Sequence, residues 1–124
     1  MKRCEFIIDG EPKGKARPRF TRQGHAYTAD ATRNYEKLVS HAFDGEKFDG
    51  PVVVIISAYM QKAKSCKLRF PTKKPDVDNI AKIIMDGLNG TAWDDDKQVI
   101  SVTVRKLWTP NYPRVEVTIK EVVE

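Results

Sequence analysis

Six aspartates fall within residues 76 to 96, at Asp76, Asp78, Asp86, Asp94, Asp95 and Asp96, and Lys82 is the one cation ahead of the last three. Carboxylates this close repel one another and stay ionised together only where a cation neutralises them. Mg²⁺ suits the role, because it takes hard oxygen ligands and is often held by a few carboxylates plus water and substrate phosphate. On a helix, residues four apart stack on one face, so Asp78, Lys82 and Asp86 form one polar ridge, with Ile80, Ile83, Ile84 and Leu88 roughly opposite. The Asp76-Val77-Asp78 stretch enters that helix and can aim two carboxylates at one point, while Asp94 to Asp96 immediately precede a strand. If that strand lies beside the helix start, a third carboxylate converges on the first two. Plainer uses stay open: Asp78 as an N-cap, Asp78 with Lys82 as a surface ion pair, and the Asp94 to Asp96 run as a solvated turn.

An acidic cluster is unusual against the rest of the chain. Residues 1 to 75 hold 16 Lys and Arg against 8 Asp and Glu, whereas residues 76 to 124 hold 6 against 9. The first part is therefore +8 and the second −3, which together give the net +5. A positive surface concentrates polyanions and speeds their encounter, so nucleic acid is the leading partner class. Basic residues that hold phosphates, next to carboxylates that carry a metal, describe a phosphodiester-cleaving site.

The elements that must position these groups can be read from periodicity. Cys4 to Asp9 alternates as a short strand ending at Gly10 and Pro12. A basic loop follows, with Lys13, Lys15, Arg17, Arg19 and Arg22 set among Gly14, Pro18 and Gly24; its Gly14-Lys15 pair precedes Ala16, which rules out a nucleotide-binding P-loop. The spacing of Tyr35, Leu38, Val39, Ala42 and Phe43 predicts a helix over 30 to 43, with Thr28 or Asp30 as its N-cap. Val52 to Tyr59 is apolar on both faces, which predicts a central strand covered on two sides and so requires helices on the sheet. Gln61 to Pro75 is a second basic loop, with Lys62, Lys64, Lys67, Arg69, Lys73 and Lys74 and no acidic residue. A helix from 78 to 89 closes at Asn89-Gly90, and two alternating strands, around Ile100 to Arg105 and Val115 to Ile119, complete the chain as an expected antiparallel hairpin. The order β-α-β-α-β-β predicts one α/β (α+β) domain over residues 1–124, with a mixed sheet of about four strands and two helices.

Other classes fit poorly. The longest apolar run, 52 to 60, is far short of the ~20 residues needed to span a bilayer, and the N-terminus lacks a secretory apolar region, so a cytoplasmic protein without membrane attachment is expected. Cys4 and Cys66 lie far apart, without zinc-site spacing, and are expected as reduced thiols. His25 and His41 are expected on the surface or in packing rather than in acid/base chemistry, Trp93 in packing rather than base stacking, and Phe70 either packs or inserts at a branch point as an apolar wedge.

Asp76-Val77-Asp78-Asn79 with Lys82, Asp86, Leu88, Asn89-Gly90, then Trp93, Asp95-Asp96, Gln98 and Val99, resembles the RusA-type Holliday junction resolvase signature. Gly10-x-Pro12 through Arg17-Pro18-Arg19-Phe20-Thr21 and Tyr27-Thr28 is similar to the phage-borne branch of that family. The resemblance implies a homodimer that binds four-way DNA junctions and cuts two strands symmetrically, leaving ligatable ends. It makes Asp76, Asp78 and Asp96 the catalytic, metal-binding aspartates and Lys82 the catalytic lysine, with Asp95 the alternative third ligand and Mg²⁺ the metal, for which Mn²⁺ can substitute. Lys13, Lys15, Arg17, Arg19, Arg69, Lys73 and Lys74 are the expected DNA contacts, to phosphate rather than base edges. Two copies are also expected from symmetry, since a junction presents two equivalent strands and the chain has one acidic cluster; the 30–43 helix or a sheet edge would supply the contact. Two rivals remain: a less selective flap or branched-DNA endonuclease, and a catalytically silent nucleic-acid-binding module.

Overall fold

The computed structural model describes residues 1–16, 19–24, 26, 27 and 29–123, with the side chains of 19, 20, 26 and 27 outside the description. Strand β1 (Arg3–Asp9) turns Cys4, Phe6 and Ile8 inward and leaves the alternate residues exposed, the period-2 pattern of a half-buried strand. Two strands of two residues each, β2 (Arg19–Phe20) and β3 (Ala26–Tyr27), pair antiparallel within the first basic loop, where no strand was expected. Helix α1 (Asp30–Ala42) follows, its N-cap position taken by Ala29. Asp30 is thus its first residue and Thr28 lies outside the described residues.

Strand β4 (Val52–Gln61) leads through the second basic loop into helix α2 (Val77–Leu88), then a single 3₁₀ turn (Asp96–Gln98), β5 (Val99–Thr109) and β6 (Arg114–Glu121). The main sheet has the order β1-β6-β4-β5, with β4 parallel to β5 and antiparallel to β6. The expected domain, with two helices and a four-stranded mixed sheet, is therefore present.

Two expectations need correction. Strands β5 and β6 do not form a hairpin, because β4 lies between them. The reason is burial: Val52, Val54, Ile56 and Ala58 are wholly inaccessible, so β4 gains most from neighbours on both edges, whereas β5 keeps Ile100 and Val102 exposed and suits an edge. Nor is β4 covered by helices on both faces. One core joins Val54, Ile56 and Ala58 to Tyr35 and Val39 of α1 and to Ile80, Ile83 and Ile84 of α2, so both helices lie on one side. On the other side, the Arg105 Nε donates to Ser57 Oγ at 3.2 Å and the Arg114 guanidinium lies 4.1 Å from the centre of the Tyr59 ring. Arginine side chains do there what a helix was expected to do, Arg105 remaining exposed while Arg114 is only 15% exposed and pairs with Glu116.

The helices approach closely at Gly87. A Cβ at this position would lie 2.8 Å from Val39 Cβ and 3.0 Å from the Glu36 carbonyl oxygen. Gly87→Ala should therefore lower unfolding free energy by about 1–2 kcal/mol, overpacking outweighing the ~1 kcal/mol gain in helix propensity. Urea denaturation measures this; an unchanged or higher midpoint would contradict such close packing.

Candidate active site

The Gln61 to Pro75 loop delivers Asp76 to the start of α2, and side chains of β5 hold that loop. Trp108 Nε1 donates to the Leu68 carbonyl at 3.1 Å, and Lys106 Nζ donates to the carbonyls of Lys73 at 2.7 Å and Pro75 at 3.1 Å. Lys62 and Lys73 also lie over the Trp108 ring, at 6.0 and 5.5 Å from its centre. Asp76 occupies the N-cap position of α2 but its side chain makes no capping hydrogen bond. Asp78, in the first turn, accepts from the adjacent Asn79 N–H at 3.0 Å. Both residues are exposed at the positive end of a helix, where backbone N–H groups favour negative charge. A cleft of about 300 Å³ beside Asp76 is lined by Gly14, Lys15, Ala16, Lys74, Pro75 and Asn79.

The other three aspartates precede β5 and are held differently. Asp94 pairs with Lys47 at 2.5 Å. Asp95 caps the 3₁₀ turn, accepting from the Lys97 N–H at 3.0 Å, and Gln98 completes a capping box. The Gln98 carbonyl oxygen accepts from the Asp94 N–H at 2.9 Å, and its amide donates to the carbonyls of Phe48 and Gly50, both at 3.0 Å. All the amide's bonding capacity is thus spent tying the acidic turn to the chain ahead of β4. Asp96 is left half-buried, with Asp95, Lys82 and Asp86 as its charged neighbours. A hydrogen bond shared with Asp95 holds the Asp96 carboxyl above its ordinary range, helped by burial and by Asp95's charge. The Lys97 N–H holds Asp95 below its own range, helped by the same shared bond. The two carboxyls therefore titrate as a pair, Asp96 holding its proton to higher pH than Asp95.

Lys82 stands between these two groups. Its Nζ lies 3.4 Å from Asp86 Oδ1 and it is 56% exposed. The expected convergence of three aspartates does not occur within one copy: among the described residues no three acidic, histidine or cysteine side chains gather as a metal-binding group. Topology explains why. Parallel β4 and β5 require a crossover, so α2 runs back against the strand direction. Its start lies by Lys106 and the acidic turn by Val99, strand positions on the order of 20 Å apart at ~3.3 Å per residue.

Of the expected DNA contacts, Lys13, Arg69, Lys73 and Lys74 are exposed. Lys15 is only 22% exposed and pairs with Glu36 and Asp86. Arg17 lies outside the described residues, as does the side chain of Arg19 on β2. Phe70 is 63% exposed, with the Arg69 guanidinium 5.5 Å from its ring centre, and so does not pack in the core. Trp93 is fully buried, as expected, and its indole N–H donates to Asn89 Oδ1 at 2.7 Å. His41 is exposed and His25 lies outside the described residues. Both cysteines are free. No helix among the described residues is long and apolar enough to cross a membrane. Sequence reasoning missed Gln98 and Lys106 as anchors; the Asp95-x-x-Gln98 spacing was a legible capping-box signal, whereas nothing local marked Lys106.

Residues 9–120 match the protein family described as endodeoxyribonuclease RusA. A protein of Bacillus subtilis (strain 168), named uncharacterized protein YqaN, is 34% identical, in a match spanning 95% of this chain and 96% of its own length.

Side-chain carboxyl NMR should find Asp96 titrating above, and Asp95 below, an ordinary aspartate. Asp95→Asn should lower the Asp96 midpoint, since the replacement amide can only donate to an ionised Asp96. An unmoved Asp96 midpoint would contradict the shared hydrogen bond.

Proposed function

The chain belongs to the RusA endodeoxyribonuclease family, a family of Holliday junction nucleases, and from that premise we propose that it resolves four-way DNA junctions by paired, symmetric, Mg²⁺-dependent strand cleavage. The observation that carries this reading is the state of Asp76: a carboxylate at a helix N-cap that makes no capping bond, at the end of a loop carrying exposed Lys73 and Lys74. Asp76 and Asp78 have the donor chemistry for a hard divalent cation, since Mg²⁺ needs only one or two carboxylates alongside water and substrate phosphate. When bound, the metal supplies Lewis-acid activation of the phosphate and of a water. Asp96 is the third ligand in this reading rather than Asp95, because Asp95 is spent capping the 3₁₀ turn. Mn²⁺ would substitute for Mg²⁺.

The chain's own residues have distinct parts. Lys82 faces the phosphate and stabilises the charge that builds on it. Lys13, Arg69, Lys73 and Lys74, with Arg17 and Arg19, grip neighbouring phosphates without reading sequence. A homodimer supplies the second cut, and a second copy is also the natural source of an Asp96 near Asp76 and Asp78, given how topology separates them within one chain. The exposed Ile100, next to the acidic turn on edge strand β5, favours the sheet edge over α1 as the self-contact.

Asp76→Asn, Asp78→Asn and Asp96→Asn should each reduce junction cleavage by more than the ~10–100-fold that loss of an outer partner to a metal ligand typically costs. Junction binding should persist in all three, and Asp95→Asn should be milder; full cleavage by any of the three would remove that residue from the site. Sedimentation at micromolar concentration should give twice the 14.1 kDa chain mass. A chain that stayed monomeric on junction DNA, yet made paired symmetric cuts, would exclude the dimer.

A further inference from the structure

We propose that Lys15 and Asp86 are positioning residues for Lys82, so that Lys15 serves cleavage from inside the protein rather than gripping DNA. The inference rests on the reading of Lys82 as the group that meets the scissile phosphate. Four charges of alternating sign connect α1 to that lysine. Lys15 Nζ lies 2.6 Å from Glu36 Oε2 on α1 and 3.0 Å from Asp86 Oδ2 on α2. The other Asp86 oxygen, Oδ1, lies 3.4 Å from Lys82 Nζ. Lys15, Glu36 and Asp86 are 20 to 22% exposed, whereas Lys82 at the end of the row is 56% exposed. The inner three are therefore screened by salt far less than surface charges are.

The backbone of Lys15 is fixed as firmly as its side chain. Its N–H donates to the Asn79 carbonyl at 2.9 Å, and a Cβ on the preceding Gly14 would lie 2.8 Å from Pro75 Cβ and 3.1 Å from Asn79 Cβ. The strap is thus seated against the first turn of α2, and the Lys15 side chain reaches along the helix to Asp86, about two turns further on. Burial alone would lower the Lys15 pKa, but the bonds to Glu36 and Asp86 more than offset this and raise it, so the ammonium stays charged. Lys15 sets which way the Asp86 carboxylate points, and Asp86 in turn restrains a lysine whose four-carbon stem would otherwise sample many positions. A twice-paired, largely shielded ammonium would have to give up both carboxylates to reach a DNA phosphate.

Two measurements separate this from a phosphate contact: junction affinity against salt without divalent metal, and single-turnover cleavage at saturating protein with Mg²⁺. Lys15→Met should slow cleavage about 10-fold or more, the scale typical of losing an outer supporting partner, while leaving affinity and salt slope unchanged. Lys15→Arg should recover most of the rate. Because Lys15→Met leaves Glu36 and Asp86 facing each other, the Lys15→Met/Glu36→Gln pair is measured too, with thermal melting as the control, and should cleave as slowly while melting near the parent. Parent-like cleavage in that pair, or a salt slope flatter by about one unit in Lys15→Met, would overturn the proposal. Lys82→Ala distinguishes the two levels of the argument. If it cleaves normally, the reading of Lys82 fails and this inference with it. If it is inactive while Lys15→Met cleaves at the parent rate, only the positioning role fails. If Lys15→Met adds nothing to the defect of Lys82→Ala, the two act through one group, as proposed.

Discussion

Repulsion between carboxylates constrains everything between residues 76 and 96. Six aspartates cannot crowd together uncompensated, and the structure separates them into sets, each with its own compensation. Asp94 has Lys47, Asp86 has Lys15 and Lys82, and Asp95 and Asp96 share a hydrogen bond while Asp95 also accepts a backbone N–H. Among the described residues, Asp76 and Asp78 have the helix terminus and a neighbouring N–H. Neither has an ion pair among the described residues, and the proposed divalent cation is assigned to them for that reason.

The sheet sets how far apart these sets lie. Because β4 and β5 are parallel, α2 must return across the sheet, and the chain reaches the acidic turn at the end of the strands away from Asp76. The same crossover carries the basic loop, so that β5 can hold it through Lys106 and Trp108. The exposed lysines of that loop and the carboxylates at the start of α2 are therefore both placed by β5. The same arrangement leaves Asp96 apart from Asp76 and Asp78 within one copy, among the described residues.

Much of this was legible in the sequence. The polar ridge of Asp78, Lys82 and Asp86 opposite Ile80, Ile83 and Ile84 followed from helical spacing, and the buried face of β1 from alternation. Strand order was not legible. The alternation in β5 and β6 fits a hairpin as well as two strands flanking β4, and only the total burial of Val52, Val54, Ile56 and Ala58 decides between them. The apolar outer face of β4 was legible as needing cover, but not as covered by Arg105 and Arg114, because arginine stems leave no periodic signal. The setting of Lys15 was not legible: its charge pointed to DNA, but its partners Glu36 and Asp86 lie on two different helices and are neighbours only once the chain has folded.

The three possible outcomes for this chain, a resolvase, a general branched-DNA nuclease and a silent binding module, differ in what they cut. The most direct measurement is single-turnover cleavage of a labelled four-way junction and of linear duplex of the same sequence, with and without Mg²⁺, mapping nicks on all strands. The account predicts paired nicks at symmetric positions on two opposing strands of the junction, only with divalent metal, and little or no cutting of the duplex. Equal cutting of both substrates, or junction binding with no product under Mg²⁺ or Mn²⁺, would contradict it.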